Sequence, residues 1–107
     1  MNISEYLEVD ESVIDALATK LQPIAAPYEL ILRSNYGRVN TDPLSPTYGT
    51  KSKDERATVG LKIKYNDRWY GEWCYIHPAD FIIHETKVVE TIEMLRRMLD
   101  EQIAALG

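Results

Sequence analysis

Six apolar residues near the end of the chain, Val88, Ile92, Leu95, Leu99, Ile103 and Leu106, recur at spacings of three and four, the period of one helix face. From about Lys87 to Leu106 such a helix runs roughly 30 Å at 1.5 Å per residue. It can therefore cover a small sheet from edge to edge. Glu93 with Arg97, and Arg97 with Glu101, supply i,i+4 charge pairs along its solvent side. A stripe of that length has to be buried, and 107 residues are too few to build two separate cores. A single domain over 1–107 is expected.

The rest of the chain provides the cover. Asp10 or Ser12 can cap a helix, Ser12 with Asp15 fits the capping-box pattern, and Val13, Ile14, Leu17 and Leu21 form one apolar stripe. Pro23 is expected to limit its end. Ile3, Leu7, Asp10, Ile14, Leu17 and Leu21 also alternate spacings of four and three, as a coiled-coil seam does. Fewer than three heptads with Asp10 on the seam do not establish one, although a longer helix from near Ile3 fits the same pattern. After a connector at 23–27, residues 28–34 read as a strand.

Residues 56–65 and 69–76 form a hairpin whose register follows from how side chains sort. A two-residue loop, Asn66 and Asp67, pairs Lys64 with Trp69 and Leu61 with Glu72, mixing apolar and charged groups on both faces. A three-residue loop that adds Arg68 places Val59, Leu61, Ile63 and Tyr65 on one face with Trp69, Trp73 and Tyr75, and sets Lys62 opposite Glu72. The second register is expected, with Trp69 and Trp73 buried under the helices. Residues 81–84 are expected to add a short strand after Pro78. The fold class is α+β: a small antiparallel sheet of three to four strands, with an N-terminal helix and a long C-terminal helix packed on one face.

Chemistry-bearing motifs are incomplete. Cys74, His77, Asp80, His84 and Glu85 fall within twelve residues, but no second Cys-x-x-Cys or His-x-x-x-His completes a metal set, so no metal is expected. No Gly-x-Ser-x-Gly elbow accompanies the histidines, and Gly49-Thr50-Lys51-Ser52 lacks the earlier glycine of a phosphate-binding loop. Neither an enzyme nor a cofactor is expected. The lone Cys74 leaves no intrachain disulfide, no apolar run approaches the roughly 20 residues of a membrane span, and the N-terminus lacks the basic and apolar stretches of a signal peptide. The expected location is cytoplasmic, without a membrane partner.

The net charge of −5 is unevenly spread. Residues 1–27 carry five acids against Lys20, residues 77–107 carry six against three basic residues, and residues 28–76 carry eight basic residues against six acids. The basic middle contains a long loop, at about 35–56, of Gly, Pro, Asn, Asp, Ser, Thr and Lys. Loops of that length are commonly functional or disordered. Tyr36, Arg38, Tyr48, Lys51, Lys53 and Arg56 put aromatic and cationic groups together on it, a mixture suited to a protein interface or to bases and phosphates. The expected function is that of a non-enzymatic interaction protein, an inhibitor or adaptor of the immunity-protein or phage anti-defence type, with a protein as partner. A nucleotide or nucleic-acid binder using the loop at 35–56 is the alternative, and an unrecognised small enzyme the third reading. Val89, Met94, Met98 and Ala104 widen the apolar surface of the last helix, so a homodimer is expected.

Overall fold

The computed structural model describes residues 10–106; Ile3 and Leu7 of the heptad-like spacing lie outside the described residues. The order of elements is α1 (Glu11–Ala25), β1 (Glu29–Ser34), β2 (Ala57–Tyr65), β3 (Arg68–Ile76), a one-turn helix α2 (Asp80–Ile83) and α3 (Glu85–Ala105). The three strands form one antiparallel sheet in the order β1-β2-β3, with α1 and α3 on one face, an α+β arrangement. Val88, Ile92, Leu95 and Leu99 of α3 and Ile14, Leu21 and Ala25 of α1 meet Leu30, Leu32, Val59 and Leu61 of the sheet in one core. Each fully buried aliphatic side chain there stabilises the fold by about 1.5–3 kcal/mol.

Asp10 is the N-cap of α1, and its carboxylate accepts a 2.8 Å bond from the Ser12 amide, which holds its pKa below the usual value. Pro23 does not end this helix. The turn containing it persists to Ala25 because Leu21 and Ala25 are anchored in the core on either side. Gln22 then ties helix to sheet: its Nε2 donates to the Tyr28 carbonyl at 2.7 Å and its Oε1 accepts from the Leu30 amide at 3.0 Å. On α3 the expected pairs of Arg97 with Glu93 and Glu101 do not form; the ion pairs among the described residues are Lys20–Glu85, Arg56–Asp54, Lys62–Glu29 and Lys87–Asp80.

The hairpin takes the other register. Its loop is the two-residue Asn66-Asp67, both left-handed at φ 49° and 62°, and the pairs are Tyr65 with Arg68, Lys64 with Trp69, Lys62 with Gly71 and Leu61 with Glu72. Asn and Asp tolerate this conformation, and such a turn matches the natural twist of two strands. A third loop residue would have placed Arg68 in a conformation it disfavours. Trp69 and Trp73 consequently point away from the helices and are 61% and 63% exposed, not buried.

Residues 81–84 do not form a strand. The chain turns at Pro78, where the Asp80 and Phe81 amides donate to the His77 and Pro78 carbonyls and His77 Nδ1 accepts from the Ala79 amide at 3.1 Å. The single turn of α2 that follows buries Phe81 and exposes Ile82 and Ile83.

The connection between β1 and β2 continues their ladder outward as a narrow arm. Asn35 donates to the Arg56 carbonyl, Gly37 to Ser52, Ser52 to Arg38 and Asn40 to Thr50, with a bridge between Val39 and Lys51. Asn40 Nδ2 closes the tip by donating to Ser45 Oγ and Thr47 Oγ1 at 3.0 and 2.8 Å. Amide exchange by NMR is expected to be slower at Gly37, Asn40 and Ser52 than at Lys53 and Glu55, whose amides donate no backbone bond among the described residues. Equal rates along the arm would show that this ladder does not persist in solution.

Candidate functional site

Alternation along three registered strands places two sets of side chains on opposite faces of the sheet. The face away from the helices is built of cross-strand rows: Arg33 beside Thr58 beside Tyr75, Ile31 beside Gly60 beside Trp73, Glu29 beside Lys62 beside Gly71, and Lys64 beside Trp69. No element covers it among the described residues, so Trp69, Trp73 and Tyr75 form an exposed aromatic line along β3. Gly71 leaves exposed backbone beside these rings, and Gly60, buried between Ile31 and Trp73, adds no side chain, so a shallow groove runs there edged by Ile31, Trp73 and Lys62. At Gly71 a Cβ would stand 3.1 Å from the Leu61 carbonyl oxygen, so the close strand approach there favours glycine.

Cations border the rings. Lys62 Nζ stands 5.0 Å from the Trp69 ring centroid and 3.6 Å from a Glu29 carboxylate oxygen. The Arg56 guanidinium lies 3.8 Å from the Tyr75 ring centroid while bonding both oxygens of Asp54, at 2.7 and 2.9 Å. That pair lowers the Asp54 pKa and raises that of Arg56.

Where β1 runs into the arm, Arg33, Arg38, Lys51 and Lys53 converge on a cleft of about 730 Å³ between the arm and the start of α1. Tyr36 lines it with them, and Glu11 and Asp15 of α1 lie on the opposite wall. None of the four cations pairs with a carboxylate among the described residues. Partial burial, and then the neighbouring Arg38 charge, depress the Arg33 pKa. The same four residues also edge a second hollow that reaches Trp73 and Tyr75, so the cleft is continuous with the aromatic face. Across cleft and face, Arg33, Arg38, Lys51, Lys53, Arg56, Lys62 and Lys64 stand against Glu11, Asp15, Glu29 and Asp54, a local excess of positive charge on a chain of net −5.

A scan against protein-family models and searches of curated proteins and of solved structures each returned no match.

Of the residues the sequence singles out, Tyr36, Arg38, Lys51 and Lys53 are brought together in the cleft. Arg56 is placed instead on the aromatic face, and Tyr48, although exposed, stands at the tip of the arm outside both hollows. Sequence reasoning missed Arg33 and assigned the aromatic line of Trp69, Trp73 and Tyr75 to the core, whereas all three are exposed. The signal for both was the Asn66-Asp67 turn, since fixing the register fixes which side Trp73, Gly60 and Ile31 occupy.

The cluster from Cys74 to Glu85 serves the fold. Cys74 lies on the helix side, packed against the core, His77 orders the turn at Pro78, Asp80 is buried with Oδ2 3.4 Å from Lys87 Nζ, and Glu85 pairs with Lys20. Among the described residues no group of three His, Cys, Asp or Glu side chains could hold a metal ion. No described helix is long and apolar enough to cross a membrane.

Proposed function

We propose that this chain is a non-enzymatic interaction protein that binds an anionic macromolecular partner on its open sheet face and acts as an inhibitor or adaptor by occupying that partner. The observation that carries this reading is the continuity of an aromatic face with four cations, the face uncovered and the cations without a carboxylate partner among the described residues. Exposed aromatic side chains beside Arg supply most of the binding energy at macromolecular interfaces. Unpaired cations at the rim favour approach by negative charge. The helix side does the opposite, since α3 carries Glu85, Glu90, Glu93, Asp100 and Glu101 against Lys87, Arg96 and Arg97.

Heparin chromatography tests the reading. The protein is expected to be retained at about 50 mM salt despite its net charge, and Arg38→Glu to elute earlier than Arg97→Glu, which makes the same charge change on α3. Flow-through of the wild-type protein would end the proposal.

A second copy of the chain fits the open face poorly, because two-fold pairing would set the positive excess of this face against the same excess on its copy. The homodimer expected from the sequence is proposed instead on α3, where Met94 and Met98 are exposed. Light scattering is expected to give the mass of two chains, reduced to one by Met98→Glu with an unchanged circular dichroism spectrum. A mass of one chain for the wild type at all concentrations would exclude the dimer.

A further inference from the structure

We infer that the partner of the open face is a single-stranded nucleic acid, whose bases stack on Trp73, Tyr75 and Trp69 while its phosphates follow the cations into the cleft at the root of the arm. The inference rests on the reading of the face as a site for an anionic macromolecule and names its chemistry.

Three observations select this class. The rings stand on one strand and on one side of it, so Trp73 and Tyr75 are about 6.6 Å apart along β3. That is twice the 3.4 Å rise of a stacked strand, which suits successive bases that have been splayed apart. The Trp69 and Trp73 rings are exposed, and Tyr75, with the Arg56 guanidinium over one side of its ring, is exposed beside them; in a duplex the bases are stacked on one another, and only a single strand can offer them. The aromatic line also ends at Arg33, Arg38, Lys51 and Lys53, which have no carboxylate partner among the described residues, so a polymer with a charge at every unit can satisfy both parts of the surface at once. An acidic protein would satisfy the cations but does not present a regular series of planar groups to rings spaced along one strand.

The chain's two tryptophans are Trp69 and Trp73, both on this face, so intrinsic fluorescence reports on the site alone. Eight-nucleotide oligo-dT and oligo-U, and a duplex of equal length, are the probes, followed by fluorescence quenching and anisotropy. At least one single strand is expected to quench tryptophan emission and to bind at least tenfold more tightly than the duplex. Trp73→Thr, which keeps a strand-forming side chain, is expected to weaken binding about tenfold, the loss of one stacked base. Raising salt from about 50 to 200 mM is expected to weaken it roughly 50-fold if four phosphates are neutralised. Arg38→Glu is expected to abolish binding at the higher salt, and Arg97→Glu to leave it unchanged. Circular dichroism of each variant separates loss of binding from loss of fold. Retention on heparin without tryptophan quenching would overturn the inference and leave an acidic protein as the partner; a duplex bound as well as both single strands would overturn it by showing that phosphates alone, without stacked bases, are recognised. Absence of both heparin and oligonucleotide binding would overturn the inference together with the reading beneath it.

Discussion

Leu61→Ala is expected to lower the unfolding free energy by about 2–5 kcal/mol, whereas Trp73→Thr, on the neighbouring strand, is expected to cost no more than about 1 kcal/mol. Leu61 is fully buried in β2 between the two helices and the sheet, so truncation leaves a cavity that the packed core only partly closes. Trp73 is larger, and in a core position its removal would cost about 3–5 kcal/mol. Its ring lies on the open face beside Gly60, however, so little packing is lost. The pair of variants reads the hairpin register directly. In the three-residue-loop register Leu61 and Trp73 share the buried face, and both substitutions would be severe. Urea unfolding of the two proteins decides it, with midpoints compared at unchanged slope. A loss above about 2 kcal/mol for Trp73→Thr would refute the outward placement of the aromatic line.

The same residues show what a sequence can and cannot disclose. The last helix was legible because Val88, Ile92, Leu95 and Leu99 repeat one period over several turns, and all four are buried as that period requires. The hairpin was legible as an element, since two strand-rich runs flank a turn. Its register was not, because sorting apolar groups onto one face assumes that the other face is polar. Here Trp69, Trp73 and Tyr75 stand outside, and the local chemistry of Asn66 and Asp67 outweighed the pattern. Phe81, Ile82 and Ile83 failed for a different reason: three apolar residues carry no period, and the turn at Pro78 decides their conformation.

In the site, composition alone was enough to pick out Arg38, Lys51 and Lys53, because cations crowd a segment otherwise made of turn formers. The ladder that brings them together left no trace in the side chains, since it is made of backbone groups that any non-proline residue supplies. Arg33 could not be found by composition. It lies on a strand between two buried leucines, Leu30 and Leu32, and Ser34, and its role depends on which face alternation assigns it. Function is therefore less legible than fold here for a definite reason: the proposed site is assembled by strand register, the property that pattern reading got wrong.

Stability is expected to fall by about 2 kcal/mol as pH rises from about 10 to 12, through one side chain. Tyr28 is 3% exposed at the entry to β1, and its hydroxyl donates to Asp100 of α3, joining the first strand to the last helix. Burial, followed by the hydrogen bond to Asp100 and that residue's negative charge, pushes the phenol up from 10.0 to about 12, against a smaller opposing effect of Arg96. The sign follows from proton counting. Below pH 10 both folded and unfolded chains keep the phenolic proton, so the contribution is fully present at neutral pH. Between 10 and 12 the unfolded chain releases a proton that the native state still holds, so unfolding becomes easier with each increment of pH. Other tyrosines and the lysines titrate in the same range, and Tyr28→Phe isolates the effect. At pH 7 that variant is expected to lose about 0.5–1.5 kcal/mol, since the exposed Asp100 recovers a hydrogen bond from water. Above pH 10 the difference between wild type and variant should shrink, and then reverse, because the variant has no phenol to titrate. Urea unfolding at intervals from pH 7 to about 11.5 measures this difference; curves that stay parallel throughout would show that Tyr28 does not hold its proton more tightly in the folded chain.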